Sequence, residues 1–112
     1  MNAEDIREYC IALQGVTEEF PFDDETLVFK VGGKIFMLLP LEGELSLNLK
    51  CDPDVAVQLR EQYAAVRPGY HMNKKHWNTV DIDGTIPEQE IYRMIDHSYQ
   101  LVRKKLPGKR RK

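Results

Sequence analysis

Apolar residues in the first fifteen positions recur with helical spacing. Ile6, Tyr9, Cys10 and Leu13 fall at i, i+3, i+4 and i+7, so they share one face of a helix over residues 2–13. Asn2 is placed to cap it, Glu4 and Asp5 suit its first turn, and Gly15 is a natural stop. The period then drops to two. Residues 26–31 and 34–39 are rich in β-branched and aromatic side chains, and Gly32-Gly33 between them predicts a two-residue hairpin turn. Leu27, Phe29 and Val31 fall on one side of the first strand, Val28 and Lys30 on the other. Lys34 starts on the Val31 side, at the rim by the turn. Leu45, Leu47 and Leu49 alternate with Ser46, Asn48 and Lys50 after a turn at Glu42-Gly43. The pattern predicts a three-stranded antiparallel meander with one side wetter than the other.

Asp52-Pro53 opens a second helix, with Val55, Leu59 and Tyr63 as a modest stripe. Two short extended pieces follow, over residues 66–70 and 77–82, and Asp83-Gly84 makes a turn. Pro87, Glu88 and Glu90 suit the start of a last helix whose buried stripe is Ile91, Met94, Ile95, Ser98 and Val102. Pro107-Gly108 ends it. The order is helix, three strands, helix, two strands, helix. That is a two-layer α+β domain, α-β-β-β-α-β-β-α, with an antiparallel sheet and helices on one face. One domain is expected over residues 1–105, followed by a basic tail over 106–112.

Charge sharpens this picture. The 112 residues hold 16 Lys+Arg and 18 Asp+Glu. The last ten, "RKKLPGKRRK", take seven of the basic residues, so residues 1–102 carry nine basic against 18 acidic ones, a net −9. Such a body does not coat DNA by bulk attraction, and a polyanion site on it must be a local patch. The tail reads as a solvated end whose cations favour a helix C-terminus, and it has the charge to bind phosphate by itself. No apolar run reaches the ~18 residues that cross a bilayer, and the acidic start is unlike a signal peptide. Cys10 and Cys51 form no CxxC pattern and read as buried thiols in a reducing compartment, with the cytoplasm the expected location.

The stretch "PGYHMNKKHW", residues 68–77, concentrates the candidate chemistry. His71 and His76 lie five apart, which suits neither a helix face nor a compact zinc motif, so neither metal nor cofactor is expected. A histidine suits acid–base work, yet no nucleophile–base–orienter pattern is visible. The acids Glu18-Glu19 and Asp23-Asp24-Glu25 read as a solvated run. The chain is therefore read as non-enzymatic. As a polyanion surface the parts fit. Lys74 and Lys75 can neutralise phosphates, His71, Asn73 and His76 can hydrogen-bond to them or to base edges, and Tyr70 and Trp77 can stack. Lys30, Asn48 and Lys50 project from the polar strand face, and Lys34 reaches it only around the rim. The competing reading is structural: Pro68-Gly69 bends the chain, Trp77 is a half-buried anchor, and His71 or His76 bonds the backbone of a loop. Phe20-Pro21-Phe22 forms either a ligand lip or, as favoured here, packing between the first helix and the sheet. His97 is expected at a solvent edge.

The segments "FPFDDETLVFKVGGKIF" and "RPGYHMNKKHWNTV", with the closing helix, resemble the YjbR/MmcQ-like family of small bacterial proteins over roughly residues 3–105. The resemblance implies an α-β-β-β-α-β-β-α fold like that of secretion chaperones, a double-wing arrangement, in proteins commonly labelled DNA-binding. The basic tail is not part of the shared pattern. The expectation is a monomeric binding domain for nucleic acid, with Lys30, Lys34, Lys50, His71, Asn73, Lys74, Lys75, His76 and Trp77 as its site and no membrane contact. A protein-interaction module is the alternative, and a small enzyme using His71 or His76 stands behind both.

Overall fold

Asn2 begins the fold as a helix cap. Its side chain accepts the amide hydrogen of Asp5, and the Asp5 carboxylate accepts that of Asn2, a reciprocal capping box. The computed structural model describes residues 1–69 and 72–104. The proposed roles of Tyr70 and His71, and the tail, lie outside the described residues. The capped helix is α1 (Ala3–Ile11). It is followed by β1 (Val16–Glu19), β2 (Thr26–Val31), β3 (Lys34–Pro40), β4 (Ser46–Lys50), α2 (Pro53–Gln62), β5 (Val66–Pro68), β6 (Trp77–Asp81) and α3 (Glu88–Lys104). The strands form one sheet in the order β1-β2-β3-β4-β6-β5, with every neighbour antiparallel. The α+β class and the helix–sheet layering are as the sequence predicts.

Strand β1 is an addition. Its four residues, VTEE, carry one apolar side chain, too few to announce a strand. It exists because β2 would otherwise expose a ladder edge, and Val16 through Glu19 pair with Val31 through Val28.

Helices α1 and α3 cover one face. Ile6 and Cys10 from α1 and Ile91, Met94, Ile95, Tyr99 and Val102 from α3 pack with Leu27, Phe29, Val31, Met37, Leu39, Leu47 and Leu49. Strand β3 breaks strict alternation to do this. Phe29 pairs with Met37 but Lys30 pairs with Ile35, so Phe36 is an extra residue in β3. The bulge turns both Phe36 and Met37 into the core. The hydroxyl of Ser98, fully buried on α3, donates to the Phe36 carbonyl at 2.5 Å. The Gly32-Gly33 turn has φ of 60° and 80°, the left-handed pair that a two-residue hairpin needs.

The opposite face is drier than the alternation suggests. Val28 is fully buried there and packs with Leu38 and Trp77, with Ile35 and Met72 at the margin. Phe20 and Phe22 correct the packing expectation: they are 47% and 66% exposed, beside Leu41 at 44%. In α2 the buried residue is Ala56, while Val55, Leu59 and Tyr63 are half-buried.

Candidate functional site

The register fixes which charges share an end of the sheet. The β2–β3 hairpin tip carries Lys34, and Val31 pairs with Lys34 there. Strand β4 runs toward the same end and finishes at Lys50, which pairs with Trp77, the first residue of β6. The loop holding Asn73, Lys74, Lys75 and His76 enters β6 at that point. Helix α3 also ends there: Arg103 donates to the Gln14 side chain at 3.2 Å, and Tyr99 donates to the Gln14 carbonyl at 2.5 Å, just before β1 begins opposite Val31. Lys34, Lys50, Lys74, Lys75, Arg103 and Lys104 therefore gather at one end. Lys34, Lys74 and Lys75 are exposed and have no ion-pair partner among the described residues. Acids at this end include Asp52 and the exposed Asp54 at the start of α2, and the Asp52 carboxylate accepts the amides of Asp54 and Val55.

The other end is anionic. Leu41 donates its amide to the Glu25 carbonyl at 2.7 Å, and Ile82 to that of Leu45 at 3.0 Å. Those contacts bring the exposed Asp23, Asp24, Glu25, Glu42, Glu44 and Asp83 to the far end from Lys34 and Lys50. The molecule is thus polarised along its strands.

The 72–76 loop is fixed by its own polar groups. Asn73 accepts the Lys75 amide hydrogen through Oδ1 at 2.9 Å, and its carbonyl accepts that of His76 at 3.0 Å. The His76 carbonyl accepts from the Cys51 amide at 2.7 Å. Arg60 pins the loop from outside. Its Nε donates to Asn78 Oδ1 at 2.7 Å and its Nη2 to the Lys74 carbonyl. Nothing in the spacing of α2 distinguishes this arginine, and the sequence reading missed it. Gly69 holds the loop's other stem against the sheet: a Cβ there would meet Trp77 Cβ at 2.9 Å.

Not every candidate joins the cluster. Lys30 is on the open face, but its ammonium lies 2.6 Å from the Glu19 carboxylate. Glu19 pairs with Val28, so strand β1 brings that acid diagonally across from Lys30. Asn48 accepts from the Thr79 hydroxyl at 2.6 Å and is occupied within the sheet. Trp77 is 6% exposed and packs under the face, where its ring supports the Lys50 ammonium 5.8 Å from the centroid. His97 also departs from expectation. It is half-buried, and its Nε2 accepts the Asp52 amide hydrogen at 3.2 Å, tying α3 to the start of α2.

Clefts indent the surface among the described residues. One, of about 160 Å³, lies between α2 and α3 over β4 and β6. Another, of about 450 Å³, lies at the anionic end among Ala3, Leu27, Leu39, Leu41 and Phe20, with Glu4, Arg7, Glu18 and Glu19 at its rim. Arg7 and Glu18 there form a two-pronged pair at 2.7 and 2.5 Å. His76 lines neither cleft. No group of three or more His, Cys, Asp or Glu among the described residues could hold a metal ion.

Fold and site together define a small α+β domain with an open, charge-polarised sheet. The family described as YjbR matches residues 11–101, so this chain belongs to the YjbR family. It is 36% identical over 113 residues to the uncharacterized protein YjbR of Escherichia coli K12, covering all of this chain and 96% of the relative. It is 32% identical over 118 residues to the uncharacterized protein YyaQ of Bacillus subtilis, covering 92% and 99% respectively. The crystal structure of Deinococcus radiodurans protein DR2400, of the domain family DUF419, superposes with a TM-score of 0.88 at 44% identity, over 93% of this chain and 80% of that one. A Pseudomonas syringae crystal structure gives 0.79 at 27% identity, over 91% and 99%. Among the described residues, no helix is long and apolar enough to cross a membrane.

Proposed function

We propose that this domain binds nucleic acid, as a non-enzymatic monomer, through the cationic end of its sheet. One observation carries the reading: the strand register gathers Lys34, Lys50, Lys74 and Lys75 at the end opposite Asp23, Asp24, Glu25, Glu42, Glu44 and Asp83. These ammonium groups neutralise backbone phosphates, while Asn73 and His76 orient the strand. His71, also named for this role from the sequence, lies outside the described residues. The ring of Trp77 acts by supporting Lys50 rather than by stacking on a base. Lys30 contributes little because Glu19 already neutralises it. The net −9 of residues 1–102 keeps affinity modest, and the phosphate contacts of the lysines make it fall as salt rises.

The test is a salt series with double- and single-stranded DNA, using the full chain, a chain lacking residues 105–112, and Lys74→Glu with Lys75→Glu. Binding at low salt should weaken roughly tenfold or more in the double variant, with a shallower salt slope. Absence of binding at low salt, indifference to the double variant, or complete dependence on residues 105–112 would each refute the site.

A second reading is favoured by a separate observation. Exposed Phe20 and Leu41 line an acid-rimmed apolar cleft, and Phe22, two residues on from Phe20, is exposed as well, a surface suited to a protein partner with a basic, apolar segment. Affinity capture should then retain a partner that Phe20→Ser with Phe22→Ser loses, at unchanged thermal stability. Identical capture by both proteins, or none, eliminates it.

A further inference from the structure

Helices α1 and α2 both begin on a capped turn, but they satisfy the amide of the capping residue differently. In α1 the Asn2 amide donates to the carboxylate of Asp5, three residues on, inside the helix's own capping box. In α2 the cap is Asp52, whose carboxylate accepts the amides of Asp54 and Val55. Val55 stands where Asp5 stands in α1, and its side chain has no acceptor. The Asp52 amide therefore turns to another helix and donates to Nε2 of His97 on α3 at 3.2 Å. A bond that α1 closes with a carboxylate is closed in α2 by an imidazole.

The difference matters because a ring nitrogen accepts only while it lacks a proton. With Nε2 as acceptor, the neutral ring carries its proton on Nδ1. In the protonated ring both nitrogens are donors, and N–H would face N–H. A cation beside the first turn of a helix also opposes the helix dipole. The groups around His97 give an imidazolium little compensation. On α3, Glu90 is held by Arg93 Nη1 at 2.7 Å, and Asp96 accepts the Tyr9 hydroxyl at 2.6 Å. Arg93 itself adds a like charge one turn before His97. At the start of α2, the Asp52 carboxylate is turned to its own helix amides, and Asp54 is exposed to solvent. At the end of β4, the Lys50 ammonium lies over the Trp77 ring, and burial and Asp52 keep the Cys51 thiol protonated.

The bond secures a junction. Cys51 donates its amide to the His76 carbonyl at 2.7 Å, so two consecutive amides tie this link to the 72–76 loop on one side and to α3 on the other. The later turns of α2 have separate anchors, in Arg60 on Asn78 and on the Lys74 carbonyl, and in Asn78 on the Ala56 carbonyl. The first turn has little burial to hold it, with Pro53 and Asp54 exposed and Val55 half-buried. We infer that His97 is a pH-sensitive latch: the neutral ring holds residues 51–55 against α3, and protonation releases them. Its contribution is present while the ring is neutral and is lost on acidification, in the interval between pH 8 and 5 where histidines change charge. The Cys51–His76 tie loosens with it, and with that tie the loop bearing Lys74 and Lys75. The latch is a property of the domain alone and is independent of what the cationic end binds.

Amide hydrogen exchange on the nitrogen-15-labelled full chain, at pH 7.5 and 5.5 and corrected for the intrinsic rate at each pH, reads the latch. Protection of the Cys51 and Asp52 amides should fall roughly tenfold at pH 5.5, while that of Leu47 and Ile95 in the core stays constant. The loss should follow the ring signals of His97 through their titration, not those of His76. His97→Gln and His97→Leu, neither of which titrates in this range, should both remove the pH response. Equal protection at the two pH values in the parent chain overturns the inference, and so does a loss that follows His76. A pH response that persists in either variant overturns it as well. The parent titration decides the question by itself should both variants misfold.

Discussion

Cys10 and Cys51 show how far burial alone determines a side chain's chemistry. Burial, assisted by the charge of Asp96, pushes the Cys10 thiol from 9.0 up to about 12. Burial and Asp52 push Cys51 up to about 11, against a smaller opposing effect of Arg60. Both are free. Because the fold holds these protons above the unfolded value, their contribution to stability is complete below pH 9.0 and is lost as pH rises through about 11 and 12. A series of thermal melts should show the midpoint falling across that window, and Cys51→Ala with Cys10→Ser should flatten the slope. Native protein should also react slowly with a thiol reagent at pH 8 and quickly when unfolded. Which lysines are free to meet a ligand also depends on their neighbours. Lys30 and Lys50 both project from the open face, yet one meets a carboxylate and the other an indole ring. Residue type was legible in the sequence; availability was not, because it depends on side chains distant along the chain.

The elements follow local pattern closely except where a neighbour intervenes. Helix α1 has its cap, and the β2–β3 hairpin has its glycines, both readable from a few adjacent residues. The bulge at Phe36 is different. The run KIFMLLP is apolar at nearly every position, so period two leaves its facing undetermined, and packing against α3 selects it. The bulge leaves the Phe36 carbonyl outside the ladder, and the buried Ser98 hydroxyl satisfies it. Removing that donor strands a buried acceptor, so Ser98→Ala should destabilise the fold by ~1–3 kcal/mol in urea unfolding. Should the variant match the parent, the carbonyl must have another partner. Strand β1 was hidden for a related reason: its strand character comes from the β2 edge rather than from its own residues.

At the scale of the whole molecule, strand direction converts sequence position into charge separation. Antiparallel strands alternate in direction, so Lys34 at the start of β3, Lys50 at the end of β4 and the loop before β6 meet at one end. Residues 20–25 and 41–45 meet at the other. The separation makes a graded prediction. Glu42→Lys with Glu44→Lys changes net charge as much as a double reversal at Lys74 and Lys75, with opposite sign. Yet it should alter DNA affinity by less than about threefold at 0.15 M salt, where the Debye length is about 8 Å. An equal and opposite effect from the two pairs would mean that net charge, not the cationic end, governs binding. The sequence by itself determined the helix starts and the hairpin turn, the alternation that builds one apolar sheet face, and the acidic balance of residues 1–102. These depend on neighbours within a turn or a pleat, or on composition. Tertiary structure alone decided that Glu19 cancels Lys30, that Trp77 lies beneath Lys50, that Phe20 and Phe22 stand in solvent, and that a recess opens between α2 and α3. Each arises where segments tens of residues apart come into contact, and electrostatics and packing act over a few ångströms of space whatever the separation along the chain.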